Sequence, residues 1–258
     1  MKFIDVHAHL NMLEANPEAV IQAAEQCGVA RFITIGTGLD DHSKIIEYVK
    51  KYQPVVFGTL GFHPHDAKDF SPMSEKFMRE HLNNSRIVAV GEIGLDYYYN
   101  HSPQDTQREV FRRQMSIANE FQLPVEIHTR DAEADTIDIL KEFTGKVKGL
   151  LHCFTGTQWL ADQALAIGYN ISISGVVTFK NSVSLRDVVK SIPLDRLHIE
   201  TDAPFLTPAP FRGKKNEPAF VVHTAKVVAE LKGISVEELA QVTSENAKRL
   251  FKRLDQNW

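Results

Sequence analysis

The chain has 258 residues, of which 43% are hydrophobic and 24% are charged, a composition typical of a folded globular protein. Its formal net charge of −4 argues against a broad basic surface for nucleic acid, but it does not exclude a nuclease, because bound divalent cations add positive charge inside a site. The sequence has two cysteines, no apolar run long enough to cross a membrane and no signal-peptide pattern, so we predict a cytoplasmic protein.

Eight strand-like apolar runs alternate along the chain with segments of helical periodicity. The runs are Phe3–Val6, Arg31–Ile35, Val55–Leu60, Ile87–Val90, Pro124–Ile127, Gly149–Leu151, Asn170–Ile173 and Leu197–Ile199. The helical segments include Pro17–Cys27, Asp41–Lys51, Gln104–Phe121, Ala132–Glu142 and Thr157–Ala166. This alternation predicts parallel βαβ units, and eight units in about 250 residues match a (β/α)8 TIM-type barrel.

We therefore predict an α/β fold with a single barrel domain over residues 1–258, and an open doubly wound sheet is the alternative. One irregular stretch, Ala203–Pro218, is rich in proline and basic residues and follows the eighth strand. Long loops of this kind are commonly binding loops or lids. After it, the remaining residues have a helical pattern that closes the barrel.

Six of the eight strand runs lead into a histidine or a carboxylate. The carboxyl ends of parallel barrel strands converge on one face, which is the face that carries active sites. Residues far apart in sequence are therefore expected to become neighbours there. They are His7 and His9 after the first run, His63 and His65 after the third, Glu92 after the fourth, His128 after the fifth, His152 after the sixth and Asp202 after the eighth.

The chemistry of these residues favours a pair of divalent metals. His7 and His9 are two residues apart on an extended segment, so both side chains point to the same side. Imidazole mixed with carboxylate suits Zn²⁺, Mn²⁺ or a related ion, and a carboxylate such as Glu92 has two oxygens with which to bridge two cations. Taken singly, Glu92 also fits a structural ion pair, the pair His7 and His9 fits a solvated strand, and His128 and His152 fit core positions. Together they predict the ligand set His7, His9, Glu92, His128, His152 and Asp202.

Asp202 is also our candidate for the general base that accepts a proton from the attacking water. Asp5 lies two residues before His7 on the same strand face, and we expect it to orient a ligand from the outer shell. Asp96 is predicted to act in the same way.

Several segments of the sequence resemble the TatD family of metal-dependent deoxyribonucleases, which is related to the amidohydrolases. The matching segments occur in the family's order over nearly the whole chain, and although any one of them is weak, the ordered set is highly specific. They are Phe3-Ile4-Asp5-Val6-His7-Ala8-His9-Leu10, Gly61-Phe62-His63-Pro64, Gly91-Glu92-Ile93-Gly94-Leu95-Asp96-Tyr97, Ile127-His128-Thr129-Arg130-Asp131-Ala132, Leu151-His152-Cys153-Phe154-Thr155-Gly156, Glu200-Thr201-Asp202-Ala203-Pro204 and Arg212-Gly213-Lys214-Lys215-Asn216-Glu217-Pro218.

The resemblance implies a deoxyribonuclease of the 3'-5' exonuclease type that cleaves DNA phosphodiester bonds with a metal-activated water. It implies two divalent ions (Mg, Mn or Zn), the six ligands named above, and catalytic roles for Glu92, Asp202 and His63. His63 would contact the scissile phosphate, and the further candidates for substrate contact are His65, Arg130, Lys180 and Arg212. The expected substrate is single-stranded DNA or a 3' end, and we expect the protein to be a monomer without a membrane partner.

Three alternatives remain at this point. A metal-dependent amidohydrolase or esterase, including one that hydrolyses aminoacyl-tRNA esters, fits the same ligands, although Glu92 stands where many such relatives have a carboxylated lysine. A non-catalytic metal-binding barrel fits the fold alone. A mononuclear enzyme would use only His7, His9 and Asp202.

Overall fold

The computed structural model describes residues 2–254 and contains eight parallel strands in sequential order. Each strand is hydrogen-bonded to the next one along the chain, as expected from right-handed βαβ units. The strands are β1 (Phe3–Ala8), β2 (Val29–Thr34), β3 (Val56–Leu60), β4 (Ile87–Asp96), β5 (Val125–Arg130), β6 (Gly149–Leu151), β7 (Asn170–Ile173) and β8 (Leu197–Ile199).

The sheet closes between its first and last strands. The amide of Asp202 donates to the carbonyl of His7 at 2.9 Å, and the amide of His9 donates to the carbonyl of Ala203 at 2.7 Å. Ala8 and Ala203 form a parallel bridge at this seam. The predicted barrel is therefore confirmed, and the open doubly wound alternative is wrong.

Helices follow the strands and cover the outside of the barrel. Several begin at residues whose side chains accept a hydrogen bond from the first turn, among them Asn16, Ser71, Thr157 and Ser235. The helices of the described chain are α1 (Pro17–Gln26), α2 (Leu39–Lys51), α3 (Pro72–His81), α4 (Gln104–Phe121), α5 (Glu133–Glu142), α6 (Gln158–Ala166), α7 (Val183–Ser191), α8 (Val221–Lys232) and α9 (Val236–Leu250). None of these helices is both long and apolar enough to span a bilayer.

Three strands extend beyond their predicted ends. β1 continues to Ala8, β4 to Asp96 and β5 to Arg130, so His7, Glu92 and His128 lie within strands instead of after them. A strand predicted from a run of apolar residues ends at the first polar residue. These polar side chains lie inside the barrel, so the strands continue past them. The prediction that they follow the strands is wrong by a few residues, although they still lie at the carboxyl ends.

The segment after α9 packs beneath the amino ends of the strands. Phe251 and Leu254 join an apolar cluster with Ile33, Phe57 and Leu150. Arg253 donates to the carbonyls of Leu82, Asn84 and Ile87 at 2.6, 3.1 and 2.7 Å, just before and at the start of β4. This end of the barrel is therefore filled by side chains, and the opposite end is left for the cavity.

Candidate metal centre

A cavity of about 630 Å³ opens at the carboxyl ends of the strands. It brings together all the residues predicted as ligands except His7, which lies fully buried behind the cavity surface. The cavity lining includes His9, His63, His65, Glu92, His128, His152 and Asp202.

Glu92 occupies the middle of this cluster and faces two groups of histidines with its two oxygens. Its Oε2 lies 3.5 Å from Nε2 of His7 and 3.8 Å from Nε2 of His9. Its Oε1 lies 3.0 Å from Nδ1 of His128 and 2.8 Å from Nε2 of His152. One oxygen per histidine group is the arrangement by which a carboxylate bridges two cations.

The glycines around Glu92 allow its neighbours to approach closely. A Cβ on Gly91 would lie 2.9 Å from Cβ of Glu126, and a Cβ on Gly61 of the preceding β3 end would lie 2.5 Å from the carbonyl carbon of Gly91. Gly94 has φ of +139°, and a Cβ there would collide with the carbonyl oxygen of His128. These glycines lie within or beside a continuous strand and serve close packing.

Three of the predicted histidine ligands have a carboxylate behind the ring. His7 contacts Glu126 through Nδ1 at 2.7 Å, and His152 contacts Glu200 through Nδ1 at 3.3 Å. A carboxylate accepts a hydrogen bond from the N–H at that nitrogen, which leaves the lone pair of the other ring nitrogen facing Glu92 and available to a metal.

His128 has the same arrangement in the opposite orientation. Its Nε2 lies 3.0 Å from Oδ2 of Asp96, and its Nδ1 faces Glu92. Asp96 also contacts Nε2 of His65 at 3.1 Å, so this carboxylate orients two rings at once. Asp96 therefore lies where we expected an outer-shell residue.

His63 differs from the ligand histidines because a backbone amide lies behind it. The amide of His65 donates to Nδ1 of His63 at 3.1 Å, so the proton of the neutral ring is on Nε2. Burial lowers the pKa of His63 to about 4, and the ring is therefore neutral at ordinary pH. Nε2 lies 3.4 Å from Oε1 of Glu92 and directs an N–H into the cavity. This geometry suits a hydrogen-bond donor better than a metal ligand.

Asp202 lies between His7 and His9 at the seam of the barrel. Its Oδ1 is 3.4 Å from Nε2 of His9 and 3.7 Å from Nε2 of His7. Although burial opposes ionisation, the hydrogen bond from His9 and the charge of His7 lower the pKa of Asp202. Its φ of +56° is in the left-handed region, which Asp adopts more readily than most residues.

Asp5 does not contact a histidine ring. Its carboxylate accepts hydrogen bonds from the amide and the hydroxyl of Thr201, at 2.9 and 2.5 Å. A weaker contact runs from the amide of His7 at 3.4 Å. Burial raises the pKa of Asp5 to about 7, despite these hydrogen bonds. Asp5 therefore fixes the backbone on both sides of the seam, and any effect on the ligands is indirect.

The donor set fits divalent metals of the first transition row. Three overlapping groups of donor atoms each lie within 4.8 Å of one another: His7 with His9 and Asp202, His7 with Glu92 and His152, and His63 with Glu92 and His128. Mixed imidazole and carboxylate donors favour such ions over a site built from oxygen alone. The tautomer of His63 argues against its participation, and the other groups contain five of the six predicted ligands.

The charges of the cluster are held by mutual attraction. Burial disfavours an imidazolium, but the negative charge of Glu92 raises the pKa of His152 to about 10. Burial likewise disfavours a carboxylate, yet the charge of His152 and hydrogen bonds from His128 and His152 hold the pKa of Glu92 well below its usual range. Metals replace protons on imidazole ligands, so binding here is expected to release protons.

The predicted substrate contacts are divided between the cavity and its surroundings. His63, His65 and Arg130 line the cavity, whereas Lys180 and Arg212 do not. The guanidinium of Arg130 lies 4.0 Å from the ring centre of Tyr98, and that of Arg212 lies 3.8 Å from the ring centre of Phe179.

The exposed large apolar side chains share one face of the barrel. Within residues 2–254, each lies between the carboxyl end of a strand and the first turn of the next helix. Tyr99 and Phe205 line the cavity and are about half exposed, at 51% and 50%. Sequence reasoning missed Phe205, although an aromatic residue three positions after a predicted ligand was available as a signal. The full set is Met12, Met73, Tyr98, Tyr99, Trp159, Val183 and Phe205.

A larger groove of about 970 Å³ lies on the outside of the barrel along α3 and α4. Several of its charged side chains are paired with one another, as Glu75 is with Arg79 and Arg113. None of the donor groups borders it. The groove therefore lacks the convergent donors that mark the cavity at the strand ends.

Comparison with known proteins gives consistent matches over almost the whole chain. The family model described as TatD related DNase matches residues 4–252. An uncharacterized metal-dependent hydrolase, YabD of Bacillus subtilis, is 44% identical over 251 residues, which cover 96% of this chain and 98% of that protein. A protein of Pectobacterium parmentieri named 3'-5' ssDNA/RNA exonuclease TatD is 34% identical over 255 residues, with 96% and 98% coverage. The crystal structure of YjjV, a TatD homologue from Escherichia coli, superposes with a TM-score of 0.92 at 30% identity, covering 97% of this chain and 98% of that one.

Proposed function

Because the chain belongs to the family of TatD-related DNases and is a metal-dependent hydrolase of that family, we propose that it is a deoxyribonuclease of the 3'-5' exonuclease type. The proposed substrate is single-stranded DNA or a 3' end. The proposed cofactors are two divalent ions held by His7, His9, Glu92, His128, His152 and Asp202. We further propose that the protein is monomeric and acts in the cytoplasm.

The observation that carries this proposal is the position of Glu92 between two histidine groups. Each carboxylate oxygen faces one group, at 2.8–3.8 Å from the ring nitrogens. Nucleases and phosphatases use pairs of ions at about 3.5–4 Å, which one bridging carboxylate can hold. A mononuclear site of His7, His9 and Asp202 would leave the second histidine group without a role.

In this proposal Asp202 and His63 have different roles in hydrolysis. When bound, the ions lower the pKa of a water and offset the negative charge that develops on the phosphoryl oxygens. Asp202, which its lowered pKa keeps ionised, accepts the proton of the attacking water through its carboxylate. His63 donates from Nε2 to a non-bridging phosphoryl oxygen, since its other nitrogen is occupied by the amide of His65.

The face around the cavity favours a substrate that is larger than the cavity. The exposed aromatic side chains Tyr98, Tyr99 and Phe205 offer ring faces and edges to unpaired bases, and such contacts tolerate any base sequence. Arg130 at the cavity wall is suited to a neighbouring phosphate. A relative whose name specifies single-stranded DNA and RNA supports the same substrate class.

Hydrolysis of an amide or a carboxylic ester, including an aminoacyl-tRNA ester, is the rival function. Two metals and a polarising cavity serve those reactions as well. A neutral imidazole donor beside two divalent ions suits a phosphodiester, whose transition state carries more negative charge on its oxygens than that of a neutral ester. A non-catalytic barrel is disfavoured by the complete donor set.

Cleavage of end-labelled oligonucleotides tests the proposal. Single-stranded DNA labelled at the 5' end, and its duplex, are incubated with purified protein in Mg²⁺ or Mn²⁺, beside a Glu92→Gln variant. We expect stepwise shortening of the single strand, weak shortening of the blunt duplex, and loss of both with EDTA or with the variant.

Parallel assays with a cyclic amide and with aminoacyl-tRNA separate the rivals. Turnover of one of these, without cleavage of DNA in any metal, would replace the nuclease proposal with the corresponding hydrolase. Bound metal without turnover of any of the three would favour a binding protein.

A further inference from the structure

Glu126 on β5 is a fully buried carboxylate that none of the functional predictions includes. Its Oε2 lies 2.7 Å from Nδ1 of His7, and neither side chain is exposed to solvent. A carboxylate is almost never fully buried without a partner or a function, because the loss of hydration is costly. Glu126 therefore requires an explanation beyond packing.

The contact between Glu126 and His7 joins opposite walls of the barrel. In an eight-stranded barrel with sequential order, β1 and β5 are separated by half the circumference on either side. Glu126 precedes His128 by two residues on β5, so both side chains point to the same side of the strand. The hydrogen bond therefore crosses the interior beneath the donor cluster and links the wall carrying His7 and His9 to the wall carrying His128.

His7 is the histidine for which such a link matters most. It belongs to two of the three donor groups, and its Nε2 lies 3.5 Å from Glu92 and 3.7 Å from Asp202. A carboxylate that accepts a hydrogen bond from Nδ1–H fixes the ring in the tautomer whose Nε2 lone pair faces those groups. An anionic acceptor also makes the imidazole a stronger donor to a metal than a neutral acceptor would.

The second oxygen of Glu126 has no hydrogen-bond partner among the described residues, and one oxygen of the buried Glu200 shares this property. Unpaired carboxylate oxygens inside a barrel are unfavourable unless positive charge lies close by. Divalent ions at the donor groups directly above would supply that charge.

We propose that Glu126 is a positioning residue of the metal centre, which holds Nε2 of His7 towards the metals and supplies negative charge that strengthens its binding. This inference rests on the metal centre proposed above and is independent of whether the substrate is DNA.

Titration of the metal-free protein with Mn²⁺, followed by the electron paramagnetic resonance signal of the free ion, tests this role without any substrate. Glu126→Gln keeps the shape and a carbonyl acceptor for Nδ1 of His7 but removes the charge. Glu126→Leu removes both. Because removal of an outer-shell partner typically weakens metal affinity about 10–100-fold, we expect about 10-fold weaker binding for the Gln variant and about 100-fold for the Leu variant.

Two controls separate positioning from folding and from net charge. Glu142→Gln removes the same charge from the surface, where Glu142 pairs with Arg112, and should bind Mn²⁺ like the wild type. The thermal midpoint of each metal-free variant shows whether it is folded, and if Glu126→Leu prevents folding the comparison rests on the nearly isosteric Glu126→Gln.

Wild-type affinity in the folded Glu126 variants would overturn the positioning role while leaving the metal centre intact. Absence of Mn²⁺ binding in the wild type would overturn the metal centre itself. Failure of the nuclease assay alone, with graded loss of Mn²⁺ affinity, would leave the positioning role supported.

Discussion

Two buried histidines, His152 at the carboxyl end of the barrel and His198 nearer the amino end, have opposite electrostatic surroundings. Burial acts on both, but the charge of Glu92 raises the pKa of His152 to about 10. The pKa of His198 falls to about 3, because burial is reinforced by the positive charges of Arg249 and Arg196. His198 accepts one hydrogen bond, 2.8 Å from Nδ2 of Asn170.

Burial alone therefore does not make a histidine functional in this barrel. The carboxyl end places carboxylates behind and between the imidazoles. The buried imidazoles there can keep protons that a bound metal would replace. The charges that act on His198 are both positive, and the interior of the amino end is filled by Phe251 and its apolar neighbours. We therefore expect substitutions at the carboxyl end to lower turnover and substitutions at the amino end to lower the free energy of unfolding.

The largest effect is expected from Asp202→Asn at the carboxyl end. Asn tolerates the left-handed backbone at this position, so the change removes the proton acceptor with little strain. Loss of the proposed general base and of one proposed anionic ligand should lower kcat/KM for a single-stranded oligonucleotide by about 10³–10⁴-fold. Metal content and the thermal midpoint are measured beside it, and near-normal turnover by a folded variant would exclude Asp202 as the base.

At the amino end, Phe251→Ala is expected to change stability instead of turnover. Phe251 is fully buried, and its truncation leaves a cavity beneath the strands. We expect the free energy of unfolding to fall by about 3–5 kcal/mol, measured by denaturant titration of the metal-free protein. At a temperature where the variant is folded, its kcat should match the wild type. A large loss of kcat there would show that the two ends are coupled.

His198→Gln tests the pH dependence of stability at the amino end, because it removes the titratable group there. The folded pKa of about 3 lies below the unfolded value of 6.5, so the unfolded chain takes up a proton that the folded chain does not. The wild type therefore loses stability at this residue as the pH falls from 6.5 towards 3, and keeps it above 6.5. Between pH 7.5 and 5 the loss is about 2 kcal/mol.

The His198→Gln variant should lack that part of the pH dependence, because Gln still accepts the hydrogen bond from Asn170 but does not titrate. Denaturant unfolding of both metal-free proteins at pH 7.5, 6.5 and 5 measures the difference. Parallel curves for the two proteins over this range would mean that His198 is not a source of acid sensitivity.

The sequence predicts the barrel but not the ends of three of its strands. The barrel followed from eight apolar runs with helical segments between them, because burial on both faces makes parallel strands nearly continuous in hydrophobicity. The ends of β1, β4 and β5 did not follow, since polar side chains that point into a barrel interior resemble strand ends in sequence.

The same limit applies to the site. His7, Glu92 and Asp202 were predictable because ligand residue types recur where strands end, and the structure brings them together. Glu126 was not, because a lone glutamate within an apolar run has no local signal of a partner on the opposite wall. Nor was the tautomer of His63 predictable, because it depends on where the amide of His65 points.

The smallest of these effects concerns the rim of the cavity and compares Arg130 with Lys180. Arg130 lines the cavity and lies over Tyr98, whereas Lys180 is exposed and does not line it. If Arg130 contacts a backbone phosphate, Arg130→Ala should raise KM for single-stranded DNA about 10-fold, leave kcat nearly unchanged and reduce the salt dependence of binding by about one ion. Lys180→Ala is the matched control, and it should change KM by less than about 2-fold, since Lys180 does not line the cavity. Equal effects of the two substitutions would mean that the DNA strand binds outside the cavity, along the loops that follow β7 and β8. The binding surface would then lie away from Tyr98.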